Sequence, residues 1–90
     1  MEFLVEMSFD VTAVPAEELD GLLAREREIA FGLKAEGTIA RMWRIEGRPS
    51  TVSIWRAADA AELDEQLSRL PLRGFLSITT TALTTHYLEE

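Results

Sequence analysis

A glutamate stands at the centre of the longest apolar stripe in the chain, and its placement limits both fold and chemistry. At about 100° per residue, Leu19, Leu22, Leu23, Ile29, Ala30 and Leu33 form one face of a helix spanning Pro15 to Glu36. Glu26 lies within about 10° of the middle of that face, whereas Glu28 points the opposite way. A carboxylate so placed must be ion-paired, protonated or set against a cavity. The ends are well marked. Pro15 suits the first helical position, Glu17 and Glu18 meet the positive end of the helix dipole, and Gly37 suits a left-handed stop.

The segments around this helix alternate in type. Phe3, Val5, Met7, Phe9 and Val11 are apolar at every second position, with only Leu4 out of phase, which predicts a strand. Thr38 to Glu46 reads as a second strand, with Ile39, Arg41, Trp43 and Ile45 on one face and Ala40, Met42, Arg44 and Glu46 on the other. Gly47-Arg48-Pro49-Ser50 is a turn, and Thr51 to Trp55 is a third strand. Asp59 followed by Glu62 forms a capping box for a second helix, whose core stripe is Leu63, Leu67 and Leu70. Pro71 and Gly74 close it, and the β-branched run from Phe75 to Thr85 is the last strand.

The order β-α-β-β-α-β is the ferredoxin-like pattern: an α+β domain over residues 1–90, with a four-stranded antiparallel sheet and both helices on one face. Apolar residues left for the other sheet face call for a partner subunit or a ligand. Pairing of two open sheets into a dimeric α/β barrel is the simplest solution. Phe31, on the outer side of the first helix, is either a further contact surface or a solitary exposed aromatic.

Composition narrows the function classes. Ninety residues, 47% of them hydrophobic, suit one globular unit that gains core by self-association. Sixteen acids against nine bases give a net charge of −7, which disfavours nucleic acid and anionic membrane surfaces as partners. The absence of cysteine removes disulfide and thiol chemistry, and one histidine alone does not make a zinc site, so no metal is expected. The alternating, acidic first segment is neither a leader nor a membrane span, and a cytoplasmic protein is the default expectation.

Few residues are left to carry chemistry. Glu26 is either a general base in a dehydrated pocket, with a raised pKa, or one half of a buried ion pair with a sheet arginine. Arg41, Arg44 and Arg48 cluster at one hairpin, and arginine gives a fixed two-point grip on a carboxylate. Trp43 and Trp55 suit pocket walls, core or an interface. His86 is the one histidine, a side-chain type suited to acid/base work. No phosphate loop, dinucleotide fingerprint or nucleophile elbow is present.

Taken together, Glu26-Arg27-Glu28-Ile29-Ala30, Glu36-Gly37, Trp43-Arg44-Ile45 with Gly47, and Leu70-Pro71-Leu72 make the chain resemble the muconolactone Δ-isomerase family over nearly its whole length. The resemblance implies a ferredoxin-like subunit paired through its sheets, in assemblies up to a ring-like decamer, with no metal and no organic cofactor. It implies proton transfer within a small carboxylate-bearing lactone, giving 3-oxoadipate enol-lactone in the catechol branch of the β-ketoadipate pathway. Glu26 would be the base, Arg44 or Arg41 the carboxylate anchor, and His86 a secondary acid/base or pocket-closing group, supplied by the same or a neighbouring subunit. Trp43, Trp55 and Arg48 would border the substrate. The sequence departs from the family at Arg41, in Arg48-Pro49-Ser50-Thr51-Val52 and at Arg73-Gly74-Phe75, which points to a related lactone or unsaturated acid as an alternative substrate. Two other classes fit the same architecture: a non-catalytic ligand-binding or assembly module, and a cofactor-free monooxygenase.

Overall fold

A computed structural model describes all of residues 1–90. The period-two segment forms β1 (Glu2–Phe9), followed by a short 3-10 turn and α1 (Ala16–Ala35). The hairpin β2 (Ile39–Arg44) and β3 (Ser50–Arg56) leads into α2 (Ala60–Leu67) and β4 (Leu76–Leu83). All four strands lie in one antiparallel sheet in the order β2-β3-β1-β4, so each βαβ half flanks the other's first strand. This is the ferredoxin-like α+β fold expected from the residue pattern.

The helix boundaries follow their local chemistry. Pro15 precedes the first turn of α1, and beyond its C-terminus Gly37 takes a φ of +85°, where a side chain would be strained. At α2 the Asp59 carboxylate accepts from the Glu62 N–H at 2.8 Å, and the Glu62 carboxylate reaches back to the Ala58 N–H at 3.2 Å. The capping box therefore forms, with its return bond one residue further back than usual.

Strand β2 corrects one expectation. Ile39 pairs with Trp55, but Arg41, not Ala40, pairs with Ile54, so Ala40 is an extra residue in a bulge. The bulge shifts the alternation by one. Ile39, Met42 and Arg44 share the helix-covered face, while Arg41 and Trp43 look out from the open face.

The core lies between the helices and the sheet: Phe3, Val5 and Met7 of β1, Leu33 of α1, Ile39, Trp55, and Leu63, Leu67 and Leu70 of the α2 region. Trp55 is fully buried, and its indole N–H donates to Ser53 Oγ at 2.9 Å, while that hydroxyl donates to the Val5 carbonyl at 3.3 Å. The one buried polar side chain in the core is thus satisfied. Along α1 only Leu33 is fully buried, and Leu23 remains more than a third exposed. The helix stands off the sheet along its middle, and the gap is a cavity.

Candidate active site

Glu26 projects from α1 into that gap. The cavity, about 480 Å³, is floored by Met7 and Phe9 of β1, Thr51 and Trp55 of β3, and Ile39, Met42 and Arg44 of β2. Leu23, Glu26, Arg27 and Ala30 of α1 form the roof, and Leu70, Leu72 and Leu76 close the side nearest α2. Glu26 is the only acid in a mostly apolar lining that also holds Arg27, Arg44 and Thr51. In a chain of net charge −7, this cavity has a cationic excess.

One hydrogen bond fixes the Glu26 carboxyl. Its Oε1 accepts from the Leu72 backbone N–H at 2.9 Å. That donor is supplied by a tight turn after α2, in which the Arg73 N–H bonds back to the Leu70 carbonyl at 3.0 Å. Pro71 sets the entry φ, and Leu72 sits at φ −84°, ψ 1°, the third position of a type I turn. The N–H of that position has no partner within such a turn, and the carboxyl takes it. Side-chain reasoning missed this contact because a backbone donor leaves no residue signature. Its one sequence signal is the rigid Leu-Pro-Leu itself.

Glu26 makes no ion pair; the three in the chain join Arg56 to Glu2, Arg69 to Glu36 and Arg73 to Asp64. Of the two readings open at the sequence level, the arginine pair is therefore not formed within the chain. Burial pushes the Glu26 pKa above its ordinary 4.5, and the Leu72 hydrogen bond offsets part of that rise. The group is a half-buried carboxylate of increased basicity, facing an apolar chamber with an arginine across it.

The structure brings Glu26, Arg44 and Trp55 into one cavity. It does not bring the other expected residues there. The Arg41 guanidinium stacks 4.9 Å from the Trp43 ring on the open sheet face, where that indole is 43% exposed. Arg48 borders a separate groove with Glu6, Ser8 and Ser50 on that same side. His86 caps the C-terminal 3-10 turn, its Nδ1 accepting from the Leu88 N–H at 3.1 Å, beside Met1 and Glu2. Met7 and Phe9 border the Glu26 cavity, so the two sites lie at opposite ends of β1, roughly 20 Å apart along the strand.

Comparisons with known proteins converge on one family. The family profile described as muconolactone delta-isomerase matches residues 1–89. Muconolactone Delta-isomerase 2 of Acinetobacter lwoffii is 32% identical over 87 residues, covering 96% of this chain and 91% of that protein. The muconolactone Delta-isomerase of Cupriavidus pinatubonensis is 33% identical over 87 residues, covering 96% and 95%. A crystal structure of muconolactone isomerase superposes with a TM-score of 0.84 at 32% identity, over 97% of this chain and 92% of that one. By sequence over nearly its whole length, and by fold, the chain belongs to the muconolactone delta-isomerase family.

Proposed function

We propose that the protein isomerises muconolactone, or a closely related carboxylate-bearing lactone, by general acid/base proton transfer. One observation carries this reading: Glu26, with a raised pKa and no ion-pair partner, faces Arg44 across an apolar cavity. Arg44, with Arg27 beside the base, holds the substrate carboxylate and fixes the ring beneath Glu26. Glu26 then removes the acidified proton next to the conjugated lactone, leaving a delocalised dienolate. It returns the proton to the other end of that system, so the double bond moves. Atoms and electrons balance without an oxidant or a reductant.

The chamber favours this step in two ways. Apolar walls, Trp55 among them, raise the basicity of the carboxylate. The Leu72 N–H keeps one oxygen fixed while the other remains free to carry the proton. Arg41, Trp43 and Arg48 belong, on this reading, to the face on which copies of the chain pair, in a cytoplasmic assembly. His86 reaches a substrate only from a second copy.

Turnover of muconolactone followed by ultraviolet absorbance tests the proposal. Glu26→Gln is expected to lower kcat by about 10²–10⁴-fold, with KM little changed. Full activity in that variant would remove Glu26 from the mechanism, and no turnover by the unaltered chain would remove this substrate.

A further inference from the structure

The helical ladder next to Glu26 carries Arg27, Ala30, Phe31 and Lys34, spaced i, i+3, i+4 and i+7 along α1. With Ile39 and Met42 these residues wall a second groove of about 270 Å³. Arg27, Ala30, Ile39 and Met42 border both this groove and the Glu26 cavity, so the two lie side by side between α1 and β2. The outer part is apolar and bare, with Phe31 69% and Met42 41% exposed. Arg27 stands at the junction and Lys34 beyond it, roughly 12 Å along the helix axis from Glu26 at 1.5 Å per residue. No acid lines the groove, and neither cation is in an ion pair.

We propose that this groove is a second anion subsite, which takes the remote carboxylate of an extended dicarboxylic ligand whose apolar spacer lies on Phe31 and Met42. The inference rests on the reading above only for the first carboxylate, held at Arg44 and Arg27, which leaves Lys34 for the second. The Glu26 cavity already has room for a small lactone, so the groove adds reach rather than volume for the reacting ring. A second copy related by a two-fold axis is a poor occupant. Two-fold self-contact would set the unpaired cations of one groove against those of its copy. A ligand with an acid at its far end meets both the charge and the apolar wall.

Calorimetric titration with linear dicarboxylates from six to ten carbons, each against the monocarboxylate of equal length, tests this without any turnover. A dicarboxylate of matching length is expected to bind about tenfold more tightly than its mono-acid, the effect of one charge-assisted contact. Lys34→Gln should erase that advantage and leave mono-acid affinity unchanged, and Lys34→Arg should restore it. Equal binding of both series, binding of neither, or an advantage that survives Lys34→Gln overturns the proposal. So does a fall in assembly size on Phe31→Ser, measured by light scattering, because that would put a second copy on the groove. Loss of lactone turnover bears on the isomerase reading alone, and these titrations remain readable without it.

Discussion

At the scale of single residues, Glu26 ties activity to a cost in stability. Burial raises its folded-state pKa above the ordinary 4.5, so between these two values the native chain binds more protons than the unfolded one. The stability linked to this group is therefore fully present below pH 4.5 and is lost as pH rises through the folded pKa. Glu26→Gln keeps an acceptor for the Leu72 N–H but has no charge to desolvate. Its Tm by scanning calorimetry should exceed that of the unaltered chain at pH 7, with the gap closing towards pH 4. This residue was legible in the sequence because a helix repeats on a fixed angle, and a charge on the buried angle stands out. Leu72 was not legible as a partner, because what it offers is a main-chain N–H that every residue but proline possesses.

At the scale of elements, two local irregularities assemble the site. The bulge at Ala40 turns Arg44 inwards and Arg41 outwards. Strict alternation assigned those arginines to opposite faces, yet placed Arg41 with Ile39, because one extra residue reverses the phase of everything after it. Strand identity was legible from β-formers and turn residues; phase required the pairing partner. The second irregularity is the turn at Pro71. Pro71→Gly should lower stability by about 0.4–1 kcal/mol through the unfolded chain. It should also loosen the Leu72 donor, which holds the Glu26 pKa down. The acid limb of kcat/KM should then move to higher pH, as a pH–rate profile would show. An unmoved limb would mean that the turn supports the fold without tuning the base.

At the scale of the molecule, the chain has more surface than its mass requires. It exposes 6232 Å², against about 5,300 Å² for a compact monomer of this size. Its radius of gyration is 13.9 Å, where about 12 Å is typical of 90 residues. Only 13 residues are buried, and Trp43, Tyr87 and Leu88 are among the exposed apolar side chains. Size-exclusion chromatography with light scattering should therefore show at least a dimer at micromolar concentration, and a monodisperse monomer would contradict this. His86 belongs to the same scale: the strand pattern placed it at a chain end, and only the three-dimensional sheet shows that this end is remote from Glu26. The two tryptophans also give the protein a pair of optical reporters with separate tasks. Trp55 is sealed against Ser53 and borders the Glu26 chamber, so its blue emission should respond to ligand and not to dilution. Trp43, on the open face beneath a guanidinium, should emit further to the red in the free chain and shift blue when that face is covered. Replacing either indole with phenylalanine would leave a chain whose intrinsic fluorescence follows one event alone, occupancy or assembly.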